Sequence, residues 1–345
     1  MDYLRSAWYV AAFADEIVPG RLLARTLLEQ PIVLFRDGRG AVRALADTCP
    51  HRFAPLSMGR LHGDAVQCPY HGMRFDGAGR CVHNPHGEGA IPAAARVRRH
   101  AVEERHGFVW FWAGDAEHAD AALIPDYGFT LRTPADASIR GYLPTRCDYR
   151  MLVDNILDLT HADFLHAGSL GNGSLTRSRS HLEDLGDRSC RMAWHASGDV
   201  ALPAFDRHLA RPGAPSDQWT EVTWTAPASM LLRVGATLQG EPPEAGVDTF
   251  NLHIATPEGP GTTHYWYWST RNFAVDPDVN AAIRGMIEHA FAHEDKPMLE
   301  AQHRNMRGRE FWDLKPVLLP TDAGCVRVRR KLAALIRDEA GQALA

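Results

Sequence analysis

Cys49-Pro50-His51-Arg52 and Cys68-Pro69-Tyr70-His71-Gly72 are the two stretches that decide how this chain is read. Each supplies one thiol and one imidazole, and 16 residues separate His51 from Cys68. Two loops that each offer a Cys and a His suit a two-iron, two-sulfur cluster in which the cysteines hold one iron and the histidines hold the other. Neutral imidazole in place of anionic thiolate raises the reduction potential, so such a centre stores an electron at moderate potential. The same four donors could instead close a tetrahedral Cys2His2 zinc knot. Zinc modules usually group a Cys pair in one half and a His pair in the other, whereas here each half is mixed.

The rest of the chain is too long for an electron carrier alone. At 345 residues with 45% hydrophobic content it can bury two moderate cores, whereas a carrier needs one domain of roughly a hundred residues. The net charge of -5, with both signs interspersed, gives no basic stripe for nucleic acid and no polybasic segment for anionic lipid. No basic region followed by an apolar core opens the sequence, Asp15 and Glu16 follow early, and no run reaches the ~18 apolar residues of a membrane span. A soluble, cytoplasmic protein without nucleic-acid or membrane partners is expected. Six cysteines are too sparse for a disulfide scaffold. Cys81, Cys147, Cys190 and Cys325 are therefore expected to stay reduced, with Cys81 a packed residue rather than a ligand.

The first third alternates short apolar runs with turns. Ile32-Val33-Leu34-Phe35 ends at Arg36-Asp37-Gly38, and Gly107-Phe108-Val109-Trp110-Phe111-Trp112 ends at Ala113-Gly114-Asp115, which predicts a small β domain. Asp76-Gly77-Ala78-Gly79 is a turn, and the loop Asn84-Pro85-His86-Gly87-Glu88-Gly89 is placed to shield a cluster. His62, His83, His86, His100 and His106 read as surface or turn histidines. The composition loosens after Asp115, which divides the chain into 1–115 and 116–345.

From Cys147 to His166 the composition is helical, with polar residues where a core helix should be apolar. On a 3.6-residue repeat Asp154, Asp158 and His161 share one face. His166 lies about 140° further round, so bringing both imidazoles to one point requires a break or a π-type widening nearby. Two histidines and one carboxylate with open positions form the facial triad of non-haem Fe(II) oxygenases. The carboxylate must come from elsewhere, and 280–300 is a second helical pattern with an apolar stripe through Ile283, Ile287, Ala290 or Phe291, and Met298. Periodicity puts Glu294 nearer the centre of that stripe and Asp295 at its edge, while Pro297 disturbs the phase.

These motifs, together with Ser6-Ala7-Trp8-Tyr9-Val10, Ala101-Val102-Glu103-Glu104-Arg105-His106-Gly107-Phe108, His166-Ala167-Gly168-Ser169, Glu294-Asp295-Lys296 and Ala323-Gly324, resemble the Rieske non-haem iron aromatic oxygenases. Within that superfamily the chain is similar to the oxygenase components of the vanillate O-demethylase, dicamba and toluenesulfonate methyl monooxygenase group, over nearly its whole length. The resemblance implies an α+β architecture: an N-terminal all-β Rieske domain and a C-terminal catalytic domain of helix-grip (START-like) fold. Strand-like Glu221–Trp224, Met230–Val234 and Thr263–Trp268 fit its sheet.

It also implies site residues. Cys49, His51, Cys68 and His71 would hold the [2Fe-2S] cluster, and His161, His166 and Asp295 the mononuclear Fe(II), leaving Glu294 a neighbour. Asp158 would bridge an iron-ligating histidine of one subunit to His71 of the next in a head-to-tail homotrimer, and Asn155 would sit near the iron. His253 resembles a substrate-contacting histidine, and a plain sheet histidine fits the position equally. Trp266 and Trp268 read as packing residues.

The implied activity is that of a terminal oxygenase using O2, with NAD(P)H acting only through a separate flavin- or ferredoxin-type reductase. Its substrate would be a small aromatic, a vanillate-like methoxybenzoate that it hydroxylates or O-demethylates. Methyl hydroxylation or N-demethylation of another aromatic stays open, as does a Rieske electron carrier without catalysis. The stretch from Gly171 to Pro227 departs most from the vanillate pattern.

Overall fold

A computed structural model describes residues 3–167 and 174–342. Gly168-Ser169 of the resemblance and Gly171 to Gly173 of the variable stretch lie outside the described residues. The chain forms two compact units, Met1–Asp126 and Tyr127–Ala345. The segment between the sequence-based division at 115/116 and Asp126 carries two short 3-10 turns, Ala116–His118 and Ala121–Leu123. Side chains of the first unit hold it: Trp8 Nε1 donates to the Asp120 carbonyl at 2.7 Å and Arg105 Nη1 to that of Ala121 at 3.1 Å.

The first unit is built of three antiparallel sheets. Trp8–Phe13, Phe108–Trp112 and Val102–Arg105 make one; Leu23–Leu27, Gln30–Arg36, Val42–Ala46 and Arg99–His100 make a second; Arg60–His62, Ala65–Gln67, Arg74–Phe75 and Cys81–His83 make a third. The run that begins at Gly107 becomes the strand Phe108–Trp112, buried at every position. Burial of an aromatic such as Phe108 or Phe111 stabilises by about 1.5–3 kcal/mol. Val33, Phe35, Leu45, Val66 and Phe75 close a core around Cys49 and Cys68, so the two loops are anchored from below by packed strands. Cys81 packs against this core, and all six cysteines are free thiols. One expectation is corrected: His100 is buried, only 6% exposed, with its ring on Phe111. The position looks polar in sequence, but while its strand pairs with Val42–Ala46 its ring is covered by a residue of another sheet.

The second unit carries a seven-stranded antiparallel sheet in the spatial order Ser138–Thr145, Thr262–Arg271, Val247–Gly259, Ser229–Leu238, Pro215–Thr225, Ser189–Val200, Ser180–Asp184. Strand alternation sorts its side chains. Tyr265 and Tyr267 meet Phe291 of a helix, with ring centroids at 5.9 and 5.0 Å, while Trp266 faces the other way onto Tyr142 at 5.1 Å. Both Trp266 and Trp268 are buried packing residues. The helix Tyr149–Leu157 lies over the central strands and against the terminal helix Ala323–Gln342. At Gly324 a Cβ would lie 2.4 Å from Met192 Cγ, so glycine is what lets that terminal helix approach the sheet.

Two helices depart from the regular repeat. The helix expected through His166 ends at Leu157, and Asp158, with ψ 86°, starts the 3-10 turn Leu159–His161. Asp154 therefore does not share a face with Asp158 and His161; its carboxylate instead takes both Arg329 nitrogens, at 2.6 and 2.8 Å. The second pattern runs as α-helix Pro277–His289, π-helix Ala290–Asp295 and α-helix Lys296–Met306. Pro297 sits in the first turn of that last helix, where its missing N–H costs least. Of the two irregularities expected near the histidines, the break occurs there, at Asp158, while the widened turn lies on the carboxylate side of the site.

Candidate metal centres

In the first unit, the loop Cys49–Ala54 is closed by Cys49 N donating to Ala54 O and Phe53 N to Cys49 O, both at 2.9 Å. The loop Cys68–Met73 repeats the pattern, with Cys68 N to Met73 O at 2.8 Å and Gly72 N to Cys68 O at 3.1 Å. Gly72 adopts φ 76°, a turn that glycine makes without steric cost. The two loops bring the His51 and His71 rings to a centroid distance of 4.5 Å. Cys49 and Cys68 are 1% and 2% exposed. Burial first, and the neighbouring Cys68 thiol, push the Cys49 thiol up to about 11, although the His51 and Arg52 backbone N–H groups point at its sulfur and favour thiolate. Such a pair of buried thiols is uncomfortable as free thiolates and suited to a cationic iron. His71 Nδ1 is buried with no hydrogen-bond partner, an orphan that a metal would satisfy. The loop expected to shield this region does touch it: His86 Nε2 lies 2.9 Å from the His71 carbonyl.

In the second unit, His161, His166 and Asp295 each present one donor atom within 4.8 Å of the others. Both imidazoles are already committed at Nδ1. His161 Nδ1 donates to the Asp158 carbonyl at 2.7 Å, and His166 Nδ1 donates to Glu294 Oε2 at 2.7 Å. This leaves the two Nε2 lone pairs facing Asp295, at 3.4 Å from Oδ1 and 3.2 Å from Oδ2. Lone pairs converging on a buried carboxylate repel one another unless a cation or extra protons lie between them. Extra protons would be held there in place of a cation: although burial opposes its charge, Asp295 is kept well below the usual carboxylate range when protonated His161 and His166 imidazoles donate to it from Nε2. Burial likewise opposes charging of His166, but Asp295 and then Glu294 leave its pKa raised. The set thus fits a divalent metal through two Nε2 atoms and one carboxylate, with the second hydrogen bond of each imidazole fixing its tautomer.

The other sequence candidates fall around this group. Asn155 Nδ2 donates to Asp295 Oδ1 at 3.2 Å and lies 3.4 Å from His161 Nε2. Asp158 reaches His161 through its backbone carbonyl, while its carboxylate caps Thr160, accepting from N at 3.1 Å and Oγ1 at 2.6 Å. His253 is 2% exposed; burial pushes its pKa down to about 4, opposed by the charge of Asp295. Within the π-turn Glu294 and Asp295 both reach His166, one at each ring nitrogen, and it is Asp295 whose oxygen converges with both imidazoles. Periodicity singles out Glu294 as a candidate carboxylate, but sequence reasoning misses its place as the anchor of His166 Nδ1.

Known proteins share this organisation. Residues 7–95 match the Rieske [2Fe-2S] domain family and residues 145–338 the family described as vanillate O-demethylase oxygenase C-terminal domain. The dicamba O-demethylase oxygenase component of Stenotrophomonas maltophilia is 38% identical, with 99% of this chain and 100% of that protein covered. The chloroacetanilide N-alkylformylase oxygenase component of Rhizorhabdus wittichii is also 38% identical, over 98% of this chain and 97% of the relative. The crystal structure of dicamba monooxygenase with non-haem iron and dicamba superposes with a TM-score of 0.85 at 37% identity, covering 99% of this chain and 100% of that one. Among the described residues no helix is long and apolar enough to cross a membrane. With a Rieske [2Fe-2S] domain followed by this catalytic domain, the chain belongs to the Rieske non-haem iron oxygenases of the vanillate O-demethylase family, and it is the oxygenase component of such a system.

Proposed function

We propose that this oxygenase O-demethylates a small methoxylated aromatic acid, with His161, His166 and Asp295 holding Fe(II) and Cys49, His51, Cys68 and His71 holding the cluster. The observation that carries the iron assignment is the convergence of two Nε2 lone pairs on Asp295 while both Nδ1 atoms are engaged elsewhere. Iron bound there supplies O2 activation and insertion of one oxygen atom into a substrate C–H bond, the other atom leaving as water with two electrons and two protons. The protein's part is to fix both imidazoles, place the substrate and keep bulk water out. Hydroxylation of a methoxy methyl gives a hemiacetal that collapses to a phenol and formaldehyde. His253 is assigned to the substrate, since its buried Nε2 has no partner.

Electrons come from a separate NAD(P)H-dependent reductase in the cytoplasm, where free thiols persist. The working assembly is a head-to-tail homotrimer in which His71 of one subunit delivers to Asp158 of the next. Resemblance supports that route; within the subunit the Asp158 carboxylate caps Thr160, in the turn that carries His161. N-dealkylation of a neutral anilide is the second reading, favoured by the similarity to the N-alkylformylase component.

Iron analysis and EPR test the centres: about three irons per chain with a Rieske signal after reduction are expected, falling to about two in Asp295→Ala. Formaldehyde release from methoxybenzoates, toluenesulfonate and N-methyl anilides with a generic reductase then separates the substrate readings. Asp158→Asn should keep both centres filled while slowing cluster reoxidation in a single turnover by at least about 100-fold, as expected when a positioned relay is lost. Normal reoxidation in that variant would remove the bridge.

A further inference from the structure

His253 and Tyr265 form a buried pair on neighbouring strands, with His253 Nδ1 2.7 Å from Tyr265 Oη. Both are at least nine-tenths buried, and among the described residues this is the hydrogen bond Tyr265 makes. His253 Nε2 has none. Two hydrogen placements are possible, and counting partners separates them. If Nδ1–H donated to the phenol, the Tyr265 O–H would itself lack an acceptor and the Nε2 lone pair would be bare, leaving two buried groups unpaired. If the phenol donates to Nδ1, only one group is left over, the Nε2–H. Each unpaired buried polar group costs about 1–3 kcal/mol, so the second arrangement prevails. Burial keeps the phenol protonated and the imidazole neutral, in agreement with this placement.

The pair lies in the neighbourhood of the metal triad, within reach of the Asp295 charge. Phe291 packs against the rings of His253 at 5.6 Å and Tyr265 at 5.9 Å, and it belongs to the same π-turn as Asp295. We propose that Tyr265 locks His253 in its Nε2–H tautomer, so that the wall beside the iron offers one buried, unpaired donor and selects aromatic substrates carrying a hydrogen-bond acceptor against it. The proposal rests on the reading of His253 as a substrate contact and adds the sign of that contact, donor and not acceptor. A carboxylate, sulfonate or amide carbonyl satisfies it; an alkyl group of the same shape leaves the N–H stranded, the situation in which binding sites discriminate most strongly. Tyr265 is a positioning residue that acts through His253.

Neutron diffraction of the deuterium-exchanged protein at neutral pH reads the tautomer directly. Deuterium on Nε2 and on Tyr265 Oη is expected; deuterium on Nδ1, alone or with Nε2, overturns the assignment. Equilibrium dialysis of the iron- and cluster-loaded protein with benzoate and with toluene reads the consequence. Tyr265→Phe should weaken benzoate by about tenfold, the worth of one hydrogen bond, and toluene by less than about twofold. Equal weakening of both would mean that the hydroxyl only shapes the cavity, and the selection claim would fall. Failure of the oxygenase reading would show elsewhere, as a mononuclear site that takes up no iron, which neither measurement touches.

Discussion

At His166 a single hydrogen bond determines which ring nitrogen is available to a metal. Glu294 accepts from Nδ1 at 2.7 Å, so Nε2 keeps its lone pair, and Glu294→Ala should lower Fe(II) or Co(II) affinity by about 10–100-fold, the usual effect of losing such a partner. Glu294→Gln retains an accepting oxygen and should lose less; metal titration of the two variants checks the order. His100 makes a different prediction. Its folded pKa is pushed from 6.5 down to about 4 by burial and then by Arg98. Below about pH 6.5 the unfolded chain takes up a proton that the folded chain refuses until about pH 4, so the unfolded state gains as pH falls through that window. The loss reaches about 3 kcal/mol, and His100→Leu should flatten it in urea unfolding followed from pH 7 to 4. Parallel curves for variant and wild type would show that other groups set the acid limb. Sequence reading singled out His161 and His166, which the fold brings together with Asp295, because their residue types are chemically specific; it misjudged His100 because cover by Phe111 of another sheet leaves no mark on the residue itself.

The π-turn Ala290–Asp295 is the element on which the site turns. A widened turn admits one extra residue to the helix, and here it brings Glu294 and Asp295 to opposite nitrogens of one imidazole. Deleting Ala292 should restore the ordinary repeat and rotate Asp295 by about 100° against the preceding turn. Mononuclear iron should then fall below about a tenth of its normal content, a loss expected when one of three ligands is withdrawn, while the Rieske EPR signal persists. Retained iron would show that the helix continuing into Lys296–Met306 can reposition its carboxylate unaided. The same element explains what was legible. Strands such as Gln30–Arg36, Phe108–Trp112 and Thr262–Arg271 were visible as short β-rich runs between turns. The offset of His161 and His166 called for a break near them, and one occurs at Asp158; the 290–295 turn was not legible, since a 3.6-residue template assumes the regularity that this turn violates. The Asp154–Arg329 pair was invisible because it joins positions 175 apart in sequence, beyond any local pattern.

At the scale of the whole molecule, one chain holds both kinds of centre: buried thiols and a pair of imidazoles in the first unit, a triad in the second. Two centres on one polypeptide do not establish that they serve each other, because a closed ring built from a heterologous interface lets each cluster feed its neighbour. The two arrangements differ in a way that mixing exposes. Cys68→Ala removes the cluster and leaves the triad, Asp295→Ala removes the triad and leaves the cluster, and each variant alone should be inactive. If electrons stay within a chain, no mixture of the two can work, since every chain lacks one end of the path. If they cross between subunits, a Cys68→Ala chain receiving from an Asp295→Ala neighbour has a complete path. In randomly mixed rings roughly a quarter of the positions meet that condition. Coexpressed variants, with iron content and the Rieske EPR signal verifying that each retains its remaining centre, should therefore recover about a quarter of wild-type turnover per chain. Activity indistinguishable from that of the single variants would confine the electron to one chain and remove the functional reason for a trimer.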